Sequence, residues 1–322
     1  MTAPAVGTSS TPGDRHADRL GLLRRPLDLG ALALTGAAAW RRTVAQTHRA
    51  MIAPLPLTCR IAVVPTEPAC GATTVGMQLT GALARARRAP VLLLSASPGR
   101  DTAADRLSFS RRWPLEAPVP TAVPTAELGP VLRDAAGCGP DGLTSCLRLE
   151  PEGGGRASAW RRARRELGHF FDVCLTEFGP LTQAELTEIA PLHHAVVLVT
   201  PARRRAVERS RERLHRLASA LTDDPGDAVG GVVGAEPVPA GSAGTLRGRP
   251  PVVLHAVVAT APGHPLIPRL CPDETLIPYD PALRHPGPTP LRRRTATAVA
   301  VLAARAVDAA AQTVQASARG EA

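Results

Sequence analysis

The chain has 322 residues, enough to bury a full α/β core, and shows no apolar run of about 18 residues, so a membrane-spanning helix is excluded. Its formal net charge is +10, and all 38 basic side chains are arginine, a balance that points to a polyanionic partner; with eight aromatic residues it cannot build a base-stacking platform, so nucleic acid would be met through backbone charge without sequence readout. The six cysteines, at 59, 70, 138, 146, 174 and 271, form neither a C-x-x-C pair nor a metal-ligand spacing with the nine histidines, so no metal site and a reducing, cytoplasmic setting are expected.

In chain order, residues 1–20 read as a disordered tail and 21–57 as a helical extension. Within it Leu27–Trp40 is expected to be an Ala-rich helix packing on the main domain, and Arg41–Ala50 is helical. The Pro54–Pro56 segment is a hinge into the apolar run Ile61-Ala62-Val63-Val64, which feeds the turn Pro65-Thr66-Glu67-Pro68-Ala69-Cys70-Gly71-Ala72-Thr73-Thr74. A helix from Thr73 to Arg88 follows, with Val75, Leu79, Ala82, Leu83 and Ala86 as its apolar stripe, and then a buried strand, Val91–Leu94. Strand, loop, helix and strand in this order make the βαβ unit in which phosphate loops sit.

That loop chemistry needs Gly-x-x-x-x-Gly-Lys-[Ser/Thr]: backbone N–H groups cradle phosphates, the lysine reaches the outer phosphates and the hydroxyl holds Mg²⁺. Gly71, Thr73 and Thr74 are in place. The turn resembles the phosphate loop of the MinD/ParA-like P-loop ATPases, which reads Lys-Gly-Gly-x-Gly-Lys-[Ser/Thr]-[Ser/Thr]. With Gly71 on the last glycine, Glu67 stands at the family's signature lysine, Pro68 and Ala69 replace two glycines, and Ala72 replaces the phosphate-binding lysine. Losing one charge-assisted phosphate contact costs roughly 1.5–3 kcal/mol, whereas losing a donor aimed at a transition state costs about 10²–10³ in rate. Weak ATP/Mg binding could outlast these changes; hydrolysis is expected to be lost.

The second strand of the resembling family ends in carboxylates, where this chain has Ser95-Ala96-Ser97. Asp101 and Asp105 could substitute only if the backbone folds back. Residues 110–144 read as a Pro/Gly/Ala-rich insert with a short helix near Glu127–Ala136, followed by a weak strand, Thr144–Leu149, and an arginine helix carrying Arg161, Arg164 and Arg165 on one face. Strand Phe170–Thr176 runs into Glu177-Phe178-Gly179-Pro180, which resembles the family's apolar run and Walker B aspartate; Glu177 keeps the charge on a side chain one methylene longer. His193-His194 would point to opposite faces of a strand and cannot share one ion. Further strands are expected at Ala195–Thr200, Asp227–Gly234 and Val252–Val258, with an arginine-laden helix from Pro201 to Leu221. Glu274–Asp280, through Pro278-Tyr279-Asp280, resembles the family's last strand, and a helix from Leu291 to Val314 turns Val299, Leu302, Ala303, Ala306 and Val307 inward.

The expected fold is therefore α/β, a mostly parallel sheet with helices on both faces in a P-loop NTPase architecture with a deviant Walker A loop, spanning 58–316 before a short tail at 317–322. The resemblance implies a degenerate MinD/ParA-like scaffold or regulator with a vestigial nucleotide/Mg site at Gly71, Thr73, Thr74 and Glu177 and no catalytic residues. It also implies a protein partner and a homodimer face, beside a cell-envelope or type VII secretion machine of actinobacteria. Two alternatives stand with it: an ATPase whose phosphate contact has moved to Arg100 or to one of Arg203–Arg205, and a partition-like protein that binds DNA non-specifically through its arginine faces.

Overall fold

The computed structural model describes residues 38–55, 58–98, 101–107, 139, 141–149, 160, 167–222, 250–285 and 290–320. The chain divides into two units, residues 1–46 and 47–322. Of the first, residues 38–46 are described; they are helical and belong to α1 (38–51), so the helix predicted at Arg41–Ala50 is present and longer. The expected helix Leu27–Trp40 lies outside the described residues except for 38–40, which are exposed within α1.

The second unit is an α/β layout on a seven-stranded sheet, as expected. Its strands are β1 (Cys59–Pro65), β2 (Val91–Ala96), β3 (Thr144–Arg148), β4 (Val173–Phe178), β5 (Ala195–Pro201), β6 (Val252–Val258) and β7 (Glu274–Ile277). Their order is β3-β2-β4-β1-β5-β6-β7, and every pairing is parallel. The helices are α2 (Ala72–Arg87), α3 (Ala103–Arg106), α4 (Gln183–Ile189), α5 (Arg204–Thr222) and α6 (Arg293–Gly320).

The continuous apolar runs are explained by burial on both sides. Ile61, Val63, Val91, Leu93, Val197 and Val258 face a core shared with α2 and α6; Ala62, Val64, Leu92, Leu94, Val196 and Leu198 face a second core with Trp160, α4 and Leu217 of α5. A strand covered on both faces favours apolar side chains at successive positions, hence the absence of alternation in these runs. Each fully buried leucine contributes about 1.5–3 kcal/mol of burial. The inward stripe predicted for α6, Val299, Leu302, Ala303, Ala306 and Val307, is buried throughout.

Some expectations shift. The strand predicted at Phe170–Thr176 begins at Val173, because Gly168–Phe170 forms a 3-10 turn closed by the Phe171 N–H donating to the Gly168 carbonyl. His193 and His194 precede β5 and are both buried: His193 stacks on Trp160 at 5.0 Å between ring centroids, and His194 Nδ1 accepts from the Arg60 N–H at 3.0 Å. Helix α4 was not anticipated, although Thr182 and Glu185 form a capping box in which the Thr182 N–H donates to the glutamate at 2.7 Å. The helix near Glu127–Ala136, the arginine face at 161–165, the strand at 227–234 and Arg100 lie outside the described residues.

Arg87, whose side chain is 8% exposed, donates to the carbonyls of Met51 and Ala53 at 2.8 and 3.0 Å, tying the chain after α1 to the end of α2. The next residue, Arg88, closes α2 in the left-handed region at φ 52°. That conformation costs a non-glycine residue about 1–2 kcal/mol, partly offset in glycine by its greater unfolded-state entropy. Arg88→Gly is accordingly expected to stabilise the protein by about 0.5–1 kcal/mol, seen as a higher denaturation midpoint with an unchanged slope; a lower midpoint would show that the arginine side chain contributes more than its backbone costs.

Candidate functional site

The first strand lies at the centre of the sheet, between β4 and β5, and its chain continues into β2 only beyond β4. Open parallel sheets form their crevice where the strand order reverses in this way, outside the carboxyl ends of the strands. The loop 66–71 occupies that place. Gly71, at φ 93°, turns it into α2, and a Cβ there would meet Val258 Cγ1 at an ordinary 3.5 Å, so conformation and not space requires the glycine. Ala69 also sits in the left-handed region, at φ 57°. The loop shape is thus held although one of the resembling family's glycines is an alanine.

The loop's cysteine turns into the core shared with α2 and α6. Cys70 is 1% exposed. Burial pushes its thiol up, and the polar backbone of the loop around it opposes the rise. At its entry the loop is pinned by Thr66, whose N–H donates to the Val199 carbonyl at 2.9 Å and whose hydroxyl donates to Thr200 Oγ1 at 3.1 Å.

Glu177 stands beside the loop because of strand register. On β4 it pairs with Val63 of β1 and Ser95 of β2, at the carboxyl ends of all three strands. Its carboxylate is 1% exposed and accepts three hydrogen bonds: from the Thr73 hydroxyl on Oε1, and on Oε2 from the Ser95 hydroxyl at 3.2 Å and the Ala103 N–H at 3.1 Å. Burial raises its pKa; these donors and the nearby Arg106 charge oppose the rise. The Thr73 hydroxyl thus meets the Glu177 carboxylate directly. The Thr73 hydroxyl donates its proton to the carboxylate and keeps its lone pairs, so Thr73 and Glu177 are the residues that would hold Mg²⁺, the hydroxyl directly and the carboxylate through water. Among the described residues no group of three His, Cys, Asp or Glu is placed to hold a metal.

The two aspartates after β2 are used elsewhere. Asp105 caps α3 through the Thr102 N–H and hydroxyl, at 3.0 and 2.9 Å, and takes both Nη atoms of Arg148 at 2.8 and 3.2 Å. Asp101 is exposed and pairs with Arg106 at 3.3 Å. Arg106 also lies 3.4 Å from Thr74 Oγ1, which places a guanidinium at the first turn of α2.

Glu67, at the position of the family's lysine, is bound by Arg209 at 3.2 Å, with Arg203 at 3.9 Å. Arginine from the 203–205 group does therefore stand at the loop, but it faces the loop's own carboxylate. Arg209 was not singled out in the sequence. On the other side of the loop, Gly71 and Thr74 open on an apolar pocket walled by Val258, Ile277, Tyr279 and Val299, with the Arg284 guanidinium 5.4 Å from the Tyr279 ring centroid. Asp280 does not enter this pocket as a free acid: it accepts from the N–H groups of Ala282 and Arg292, at 3.0 and 2.7 Å, and so fixes the turn into α6.

Sequence reasoning also missed a buried polar line reaching the loop from the far side of the sheet. Glu274 of β7 binds Arg211 through two bonds of 2.8 and 2.7 Å and pairs with His255 Nδ1 at 2.9 Å. His255 Nε2 meets Ser210 and Thr200, each at 2.9 Å, and Thr200 receives the Thr66 hydroxyl. A histidine inside the apolar run Val252–Val258 was the one local sign of it.

No family model matches the chain, and no curated protein matches it. Among solved structures it is similar to a ParA family ATPase from Chlorobium tepidum, with 12% identity and a TM-score of 0.44 over 70% of this chain and 88% of that one. A plasmid partition protein from Borrelia burgdorferi, bound to AMPPNP, gives 11% and 0.43 over 70% and 89%. Cobyrinic acid a,c-diamide synthase from Mycobacterium smegmatis, with a bound ATP analogue and magnesium, gives 20% and 0.33 over 51% and 69%.

Proposed function

We propose that the protein is a MinD/ParA-like scaffold or regulator whose phosphate-loop site is closed by its own side chains, so that it acts without nucleotide hydrolysis and positions or regulates a cell-envelope machine. The observation that carries this reading is the direct hydrogen bond between Thr73 and Glu177. That bond already joins the hydroxyl and the carboxylate at the place where metal-assisted phosphoryl transfer would use them. Three elements that a nucleotide and its metal would otherwise join, the start of α2, the end of β2 and the start of α3, are joined here by one glutamate. The fold then holds a single state, as a docking platform needs. A protein partner and a second copy of the chain are its proposed company, and the type VII secretion setting follows from the sequence resemblance.

Calorimetric titration with ATP and Mg²⁺ tests this. No heat is expected up to millimolar nucleotide. Micromolar binding would overturn the reading in favour of a nucleotide-controlled switch, for which Arg106, 3.4 Å from Thr74, is the available phosphate cation.

A further inference from the structure

His255, inside the apolar strand β6, is 1% exposed and stands in the middle of a line of polar side chains. The Glu274 carboxylate, held by two bonds from Arg211, is an acceptor, so His255 Nδ1, 2.9 Å from it, carries the proton of the neutral ring and Nε2 accepts. Nε2 lies 2.9 Å from Ser210 Oγ on α5 and 2.9 Å from Thr200 Oγ1 on β5, both buried. The Thr200 hydroxyl donates to Ser210 at 2.9 Å, and the Thr66 hydroxyl donates to Thr200 at 3.1 Å. Each hydroxyl has one proton to give, and the donations run one way: Thr66 to Thr200, Thr200 to Ser210, Ser210 to Nε2. The same atoms support the opposite direction. A proton on Nε2 would donate to Ser210, Ser210 to Thr200 and Thr200 to Thr66, and the Thr66 hydroxyl would end on the Val199 carbonyl, 3.1 Å away. Both directions leave every group with a partner, which is the condition for two discrete states of one packed site.

We propose that this line is a proton switch: a proton from solvent, taken up at His255 Nε2, reverses the hydroxyl bonds and moves the Thr66 hydroxyl from Thr200 to the Val199 carbonyl. Serine and threonine do not ionise near neutral pH and Glu274 is held as a carboxylate, so the ring alone takes the proton. Val199 then accepts twice from Thr66, from its N–H at 2.9 Å and from its hydroxyl, at the residue where β1 passes into the loop. The proton state of a ring in β6 is thus read at the first residue of the loop. Charged and titratable groups line a pocket with the ring from each element around it: Arg211 and His215 of α5, Cys271 and Asp273 before β7, and Glu274. Burial, the largest influence, lowers the ring's pKa below 6.5; Glu274 favours the charged ring and Arg211 opposes it. The switch does not depend on whether the loop takes nucleotide.

The test is an NMR pH titration of the full chain that reads the two ring nitrogens of His255 and the backbone amide of Thr66. At neutral pH the ring should carry its proton on Nδ1. On acidification the Thr66 amide should shift with the midpoint of the His255 ring. Thr200→Val removes the middle hydroxyl and should abolish the Thr66 shift while His255 still titrates; should that variant fail to fold, His255→Gln, which cannot titrate, should hold the Thr66 amide constant. Glu67→Gln, which removes the carboxylate adjoining Thr66, should leave the shift in place. A ring protonated on Nε2 alone at neutral pH, unfolding before His255 titrates, a Thr66 amide indifferent to that titration, or a shift that survives Thr200→Val or His255→Gln would each overturn the proposal.

Discussion

Glu177→Ala is expected to destabilise the protein by about 3–5 kcal/mol, the largest effect of any single change at the loop. The variant strands three donors, the hydroxyls of Thr73 and Ser95 and the Ala103 N–H, in a place where the parent carboxylate is 1% exposed. Each buried donor left unmade costs about 1–3 kcal/mol, and a cavity is added. Glu177→Gln should behave differently. Its amide oxygen can accept from Ser95 and Ala103, and its amide nitrogen can donate to a rotated Thr73 hydroxyl, so every group keeps a partner. The pH dependence separates the two causes. Burial holds the pKa of Glu177 above its ordinary 4.5, so its contribution is fully present below that value and is lost as pH rises through the folded-state pKa. Glutamine removes this decline, and Glu177→Gln should gain on the parent toward neutral pH. Denaturant unfolding over a pH series measures both. An alanine variant as stable as the parent would mean that the site is not held closed by this carboxylate.

The second large effect is expected at the far edge of the sheet. Arg211→Ala should cost about 2–4 kcal/mol, because Glu274, with a side chain 3% exposed, loses a two-bond arginine partner while Arg211 itself is 30% exposed and partly served by water. Burial alone would raise the pKa of Glu274, but Arg211, the Cys271 N–H and His255 lower it to about 2. The sign follows: this stability is present above 4.5 and disappears as pH falls toward 2. His255 acts in the same direction, since burial lowers its pKa below 6.5 against the pull of Glu274, so its contribution is present above 6.5 and is lost as pH falls through the lowered value. The parent should therefore show a steep acid limb that Arg211→Ala makes shallower; an unchanged acid limb would exclude the pair as its source. Because His255 reaches Thr66 through Thr200, the same variant should speed amide exchange at Thr66, whose N–H is bound to Val199.

Local pattern carried the framework because the features that define it are local. A continuous run such as Val91–Leu94 is apolar at every position when both faces of a strand are covered, and the Gly71 turn with its following stripe at Val75, Leu79 and Leu83 needs no distant information. From the same loop residues came the expectation that hydrolysis is lost, since a missing lysine at 72 and an acid at 67 can be seen without knowing where they point. Glu177 was legible as a residue and not as an interaction. Its spacing says that a carboxylate ends β4; only the register of β4 against β1 and β2 places that carboxylate on Thr73, 104 residues away, and on Ser95, 82 residues away.

Charge shows the limit most plainly. With 38 arginines in the chain, composition announces a basic protein and cannot say which guanidinium meets which acid. Arg209 on Glu67, Arg148 on Asp105 and Arg211 on Glu274 join residues 142, 43 and 63 positions apart. Such partners are selected when helices pack on the sheet and bring side chains within a few ångströms, the range over which a hydrogen bond or a desolvated ion pair has a magnitude that matters. The sequence by itself determined the strand, loop and helix and the loss of the loop's cation, because those depend on neighbours along the chain. The contacts of Glu177 with Thr73, Ser95 and Ala103 were decided by tertiary structure, because parallel register alone delivers the carboxylate to them.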